Sequence, residues 1–211
     1  MNLESFQNVN SCLELGSWFA QENFISAELC RKIYEEYSRE ERIRSFKEAS
    51  IGRNSTKIRD WTIRKSNISW VEDSDFDGIR EFNLFLNRLM LSLNQHFFLS
   101  LKHFESQVAY YAPNDFYKIH LDQFSRDNRR QVTCILYLND CPQGGELVIY
   151  KRGSKNIIDK IITPKRGTLV VFFSGHIYHE VRPVGSPRFS LTTWFRDDEP
   201  LVNDVFVPEA M

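Results

Sequence analysis

Residues 168–196 read T-L-V-V-F-F-S-G-H-I-Y-H-E-V-R-P-V-G-S-P-R-F-S-L-T-T-W-F-R. Three runs rich in β-branched and aromatic residues, Thr168 to Phe173, Glu180 to Val184 and Arg188 to Arg196, alternate with Gly, Ser and Pro clusters that punctuate strands. The same texture extends upstream through Glu105 to Tyr111, Gln131 to Asn139, Glu146 to Lys151 and Asn156 to Ile162. Short strands in this number must hide their edges, which predicts a β-sandwich or jelly roll.

Before residue 99 the apolar period changes from two to between three and four. Residues 26–48 predict a helix, with Ser26 as N-cap and Leu29, Ile33 and Tyr37 on one face. Residues 75–97 predict another, because Phe76, Ile79, Phe82, Leu86, Leu89 and Leu93 form a stripe suited to covering a sheet. Between them, about 47–62, the pattern lapses and Gly52, Asn54 and Ser55 mark a mobile loop. Short strands are expected at Trp61 to Ile63 and Ile68 to Val71. The organisation expected is therefore a helical and strand region over 1–98, a mainly β core over 99–197 and an acidic tail over 198–211.

Bulk composition excludes several classes. A net charge of -1, from 27 basic and 28 acidic side chains, provides no global attraction for nucleic acid or an anionic membrane surface. Between Arg39 and Lys65, however, nine Lys or Arg face four Asp or Glu, which reads either as a solvated face or as a substrate-contacting surface. Cys12, Cys30, Cys134 and Cys141 form no C-x-x-C pair and are too sparse for a disulfide framework, so reduced thiols in a cytoplasm are expected. Neither a signal peptide nor a membrane-spanning apolar run is read in the chain.

His120 and Asp122 sit at i and i+2, which on an extended strand directs both side chains to one face. With His179, at the entry to a later strand, they make the two-imidazole, one-carboxylate set that leaves iron positions open for a keto acid and O2. Arg188, Ser190 and Thr192 share one face of the last strand, and a guanidinium is a two-pronged donor suited to a distal carboxylate. Tyr111 and Tyr137 could add hydroxyl donors. Taken singly, each residue also fits a structural role: H-x-D pairs arise by chance, the tyrosines suit a half-buried core, and Arg188 follows a proline turn. His176 competes with His179 as a ligand but lies beside Ser174 and Gly175 in a turn, while His96 and His103 read as structural.

The ordered segments Y-x-P-x-x-x-Y-x-x-H-x-D (Tyr111 to Asp122), V-T-C-I-L-Y-L-N (Val132 to Asn139), G-G-E-L (Gly144 to Leu147), H-E-V-x-P (His179 to Pro183) and R-x-S-L-T-x-W-F (Arg188 to Phe195) resemble the catalytic core of the prolyl 4-hydroxylase superfamily. The likeness is greatest to the hypoxia-sensor-type prolyl hydroxylases and their bacterial relatives. Upstream, I-R-x-x-x-I-x-W (Ile63 to Trp70) is similar to the strand pair after their substrate-covering loop, so the resemblance covers about residues 24–196.

The resemblance implies a double-stranded β-helix buttressed by helices, with His120, Asp122 and His179 as Fe(II) ligands. It implies that Arg188 and Tyr137 hold the 2-oxoglutarate C5 carboxylate and that Tyr111 and Thr192 line the same pocket. Arg64, Arg130 and Trp194 match positions near the peptide groove. Fe(II), 2-oxoglutarate and O2 are the implied cofactors, with ascorbate an accessory to be tested, and the implied reaction hydroxylates a prolyl residue of a protein with release of succinate and CO2. Two other readings stand beside it: the same chemistry on a small molecule or free amino acid, and a silent binding module. The hypoxia-sensor enzymes carry Gly-Asp after the Ile-Arg pair where this chain has Lys65 and Ser66, so recognition of the same target motif is not implied.

Overall fold

The computed structural model describes residues 3–49, 60–71, 76–123 and 128–199. In chain order the elements are α1 (Leu3–Gly16), β1 (Trp18–Gln21), α2 (Ala27–Tyr37), α3 (Glu40–Ser45), β2 (Lys47–Glu48), β3 (Arg64–Lys65), β4 (Asn67–Trp70) and α4 (Asp77–Phe97). The strands β5 (His103–Tyr111), β6 (Phe116–His120), β7 (Arg130–Tyr137), β8 (Leu147–Tyr150), β9 (Ile158–Ile162), β10 (Leu169–Phe173), β11 (His179–Val181) and β12 (Arg188–Arg196) follow. Every strand pair is antiparallel, in a seven-stranded sheet ordered β1-β10-β7-β12-β5-β4-β2 and a five-stranded sheet ordered β3-β6-β11-β8-β9. The strands from β5 to β12 divide between the two sheets as in a double-stranded β-helix, the jelly roll that the sequence predicts.

Register decides which residues face the interior of the β-helix, because residues directly opposite in an antiparallel pair share a face. Arg188, Ser190, Thr192 and Trp194 of β12 stand opposite Tyr111, Ala109, Gln107 and Glu105 of β5. On the other side, Ser190, Thr192 and Trp194 meet Tyr137, Ile135 and Thr133 of β7. This face, with the small sheet, encloses an apolar cluster that includes Tyr111, Ile135, Tyr137, Ile149, Phe172 and Val181. Alternate residues, such as Val108, Leu136, Val171 and Leu191, point the other way into a second cluster with the helices.

The helices close that outer face. On α4, Ile79, Phe82, Leu86, Leu89 and Leu93 are at most 1% exposed, and each such burial contributes roughly 1.5–3 kcal/mol. Ser26 caps α2, its Oγ accepting from the Leu29 amide at 3.2 Å, as its position in the sequence predicts. The expected helix over 26–48 breaks at Ser38 and Arg39, the latter being extended at φ -62° and ψ 137°. Beyond the break α3 fully buries no residue, and only Ile43, partly buried against the core, and Arg42, over the Tyr37 and Phe76 rings, tie it down.

Residues 61–63 form a turn rather than the strand expected there. Asp60 accounts for it: its Oδ1 accepts from the Thr62 amide at 2.9 Å and the Thr62 hydroxyl at 2.6 Å, and its carbonyl accepts from the Ile63 amide at 2.9 Å. Elements outside the expected segments include α1, β1, β2 and β6. Of these, β1 pairs with β10, so residues before 99 extend the same sheet as the later strands. Residues 50–59 of the expected loop and 200–211 of the expected tail lie outside the described residues. No helix among the described residues is long and apolar enough to cross a membrane.

Candidate active site

His120 ends β6, His179 begins β11, and the two are directly paired in the small sheet. Asp122 follows β6 by two residues and is 7% exposed. One ligating atom from each of these three side chains lies within 4.8 Å of the others, and His176 is not among them. The His120 Nε2 stands 3.5 Å from Asp122 Oδ1, and the His179 Nε2 stands 3.7 Å from Asp122 Oδ2.

The orientation of both imidazoles is set by backbone. His120 Nδ1 lies 2.8 Å from the Lys118 carbonyl and His179 Nδ1 lies 3.1 Å from the Ile177 carbonyl. A carbonyl only accepts, so each Nδ1 carries a proton, which turns the Nε2 edge of each ring toward Asp122. Burial, reinforced by the neighbouring His120, pushes His179 down to about 4, so it is a neutral donor at pH 7. For Asp122 burial pushes upward, but His179 and His120 outweigh it and hold the carboxyl well below its usual range. Thr133 Oγ1 donates to Asp122 Oδ2 at 2.8 Å, which leaves the Ser174 hydroxyl to donate to Thr133 at 2.8 Å. Phe172 adds a dry wall, its ring centroid 4.7 Å from that of His179.

Arg188 faces the same interior from β12 of the larger sheet and is 2% exposed. Its guanidinium carbon is 4.9 Å from the ring centroids of both Tyr111 and Tyr137. It forms no ion pair among the described residues, and its Nη1 makes a long 3.4 Å contact with Ser190 Oγ. Among the described residues the buried Arg188 Nε and Tyr137 hydroxyl have no hydrogen-bond partner of good geometry, although the adjacent Arg188 works against the upward push of burial on the Tyr137 phenol. Two orphaned donors beside a buried cation, where a bare charge is costly, suit an anionic ligand with acceptor oxygens. Gly144 and Gly145 shape one side, at φ +67° and +70°. A Cβ on Gly144 would meet the Pro183 carbonyl oxygen at 2.2 Å, and one on Gly145 would meet Arg188 Cδ at 3.1 Å.

Thr192, partly exposed, continues this face between Ile135 and Gln107. Trp194 is 4% exposed with its indole Nε1 unpartnered. Arg130 lies over it at 3.7 Å and donates through Nε to Glu105 at 2.8 Å, so a carboxylate already shares its charge. Arg64, on the edge strand β3, reaches the site through Tyr117 rather than directly, 4.6 Å above that ring. Thr133, Ser174 and Tyr117 were not read from the sequence as site residues. The alternation that leads back from Tyr137 through Ile135 to Thr133 could have found the first; the other two needed the fold.

Fold and site together describe a β-helix protein in which three side chains that could hold a metal ion share the interior with a buried arginine that has no ion pair among the described residues. The 2OG-Fe(II) oxygenase superfamily model matches residues 106–196. A prolyl-4-hydroxylase of Pseudomonas putida is 34% identical, with a TM-score of 0.81 over 92% of this chain and 100% of that one. Egl nine homolog 1 of Rattus norvegicus is 33% identical over 147 residues, which are 64% of this chain and 42% of the relative. The chain thus spans less than half the length of that relative. A prolyl hydroxylase of Trichoplax adhaerens, solved with a hypoxia inducible factor peptide fragment, shares the fold at a TM-score of 0.79 and 22% identity, over 92% of this chain and 90% of that one. The chain belongs to the 2OG-Fe(II) oxygenase superfamily, in its prolyl 4-hydroxylase family.

Proposed function

We propose that this protein is an Fe(II)- and 2-oxoglutarate-dependent dioxygenase that hydroxylates a prolyl residue in a protein substrate. The observation that carries the reading is the buried Arg188, its Nε unpartnered beside the Tyr137 hydroxyl, on the β12 face where Trp194 stands opposite Thr133, which donates to Asp122 of the His120, Asp122 and His179 cluster. A metal site alone suits many proteins; a metal site beside a dry cationic pocket suits a chelating dicarboxylate. The donor set fits Fe(II), with two neutral-capable imidazoles and one carboxylate. When bound, iron with 2-oxoglutarate and O2 supplies the oxidising power, yielding a hydroxylated product, succinate and CO2.

The chain's own residues bind and orient. His120, Asp122 and His179 hold the metal, with the Lys118 and Ile177 carbonyls and Thr133 fixing their geometry. Arg188 and Tyr137 take the distal carboxylate, Tyr111 and Thr192 line its pocket, and Phe172 excludes water from the His179 side. Arg64, Arg130 and Trp194 contribute to the substrate side, with Trp194 offering an unpaired indole donor. The prolyl substrate is supported by the 34% identity with the Pseudomonas putida prolyl-4-hydroxylase. Four unpaired cysteines accord with a reducing, cytoplasmic setting.

The test supplies the purified chain with Fe(II), 2-oxoglutarate and O2, with and without ascorbate, and follows succinate. Peptides of a cell extract are then searched by mass spectrometry for a one-oxygen gain on proline. A gain confined to free amino acids or small metabolites would move the substrate to the alternative class. Absence of both metal binding and 2-oxoglutarate turnover would refute the enzyme.

A further inference from the structure

Tyr117 and His120 are three residues apart on β6, a spacing that on a regular strand puts side chains on opposite faces. Here they stack, with ring centroids 3.5 Å apart and planes inclined by 17°. The cause is a break in register. Val181 of β11 stands opposite Tyr117, while His179, two residues before Val181, stands opposite His120. One extra residue of β6 is therefore bulged out, and a bulge re-aims the side chains that flank it.

Contacts on both sides pin the bulge. The His120 Nδ1 donates to the carbonyl of Lys118 at 2.8 Å, closing it from within. From the turn just before β3, the Ile63 carbonyl accepts from the Lys118 amide at 2.8 Å. Arg64, directly opposite Tyr117 in the β3 and β6 pairing, lays its guanidinium carbon 4.6 Å from the centre of the Tyr117 ring. The Arg64 Nε donates to Ser66 Oγ at 2.9 Å, which holds it there. The result is a stack of Arg64, Tyr117 and His120 that runs from an edge strand to a metal-ligating ring.

We infer that Tyr117 and Arg64 are positioning residues that set the ligating orientation of His120 through the bulge of β6. The inference rests on the proposed role of His120 as a metal ligand. It gives Arg64 a task beyond substrate contact. His179 is buried and backed by Phe172, whereas the His120 side chain keeps 13% exposure. His120 is the imidazole whose ring has more freedom to lose and the one the stack braces.

The test is anaerobic titration of the full chain with Mn(II) and Co(II), without 2-oxoglutarate or substrate, alongside thermal melting of each variant. Tyr117→Leu keeps apolar bulk but not the flat ring. Its expected effect is roughly a 2- to 12-fold weaker metal affinity, the equivalent of an aromatic pair's contribution, with a changed Co(II) absorption spectrum. Tyr117→Phe restores wild-type affinity and spectrum. Arg64→Lys, which keeps charge but not the planar group, weakens binding in the same direction by less. Wild-type affinity and spectrum in Tyr117→Leu, or an equal loss in Tyr117→Phe, would overturn the inference while leaving the proposed function intact. A wild-type chain that binds neither ion overturns both.

Discussion

Replacing Arg188 with Met separates two properties that a purely structural arginine would lose together. Arg188 is 2% exposed and makes no ion pair among the described residues, so it carries the desolvation penalty of a buried cation. Its compensation is contact with the Tyr111 and Tyr137 rings, each at 4.9 Å, worth roughly 0.5–2 kcal/mol apiece. Met fills similar space without a charge, so ligand-free stability should stay within about 1 kcal/mol, a melting shift of roughly 2–4 °C at this chain length. Affinity for 2-oxoglutarate behaves differently. Two lost charge-assisted hydrogen bonds remove ~3–6 kcal/mol, or roughly 10²- to 10⁴-fold in Kd.

Differential scanning calorimetry of the Mn(II)-loaded chain, with and without 2-oxoglutarate, reads both quantities at once. Wild type at a ligand concentration of about 100 times Kd gains ~2.7 kcal/mol, which raises its midpoint by roughly 5–11 °C. Arg188→Met should show no such rise at the same concentration. Refutation would be a variant that melts many degrees lower without ligand yet keeps the full 2-oxoglutarate shift, for then Arg188 is a core residue and the anion pocket is elsewhere.

Two further outcomes follow from the site and its surroundings. His179→Ala should abolish metal binding measured by Mn(II) titration, whereas His176→Ala, exposed and outside the ligand cluster, should leave it unchanged; the reverse would exchange their roles. Glu105 accepts from Arg130 and Arg196 at 2.8 and 2.9 Å, and although burial pushes its carboxyl up, these arginines outweigh burial and hold it below the ordinary range. Its stabilising contribution is therefore present above the unfolded value of about 4.3 and lost as pH falls through the lower folded value. Glu105→Gln should cost roughly 2–3 kcal/mol at pH 7 by urea denaturation, toward the low side for a broken buried pair because Glu105 keeps 29% exposure. The gap to wild type should narrow below about pH 4, and an unchanged gap would mean that the carboxylate charge is not what stabilises the network.

Local rules carried far in this chain. The β texture predicted β7, β8, β10 and β12 to within two residues at either end, because β-branched and aromatic runs bounded by Gly and Pro admit few other structures. The α4 stripe was equally plain, since its apolar spacing matches one buried face. Where the prediction failed, the cause was a contact distant in sequence or a capping detail. β1 owes its place to β10, and residues 61–63 are turned by a single aspartate.

Sequence by itself singled out the candidates to hold a metal and an anion: His120, Asp122, His179, Arg188 and the tyrosines are legible from residue type and period. Alternation could also place Arg188, Ser190, Thr192 and Trp194 on one face. Tertiary structure alone decided that His120 and His179 meet, that Arg188 finds no carboxylate among the described residues, and that Thr133 and Ser174 stand behind Asp122. It also decided that a bulge turns Tyr117 onto His120 against the strand's own period. The physical reason is that chemistry and period belong to a residue and its near neighbours, whereas register and desolvation exist only once strands far apart in the chain have paired.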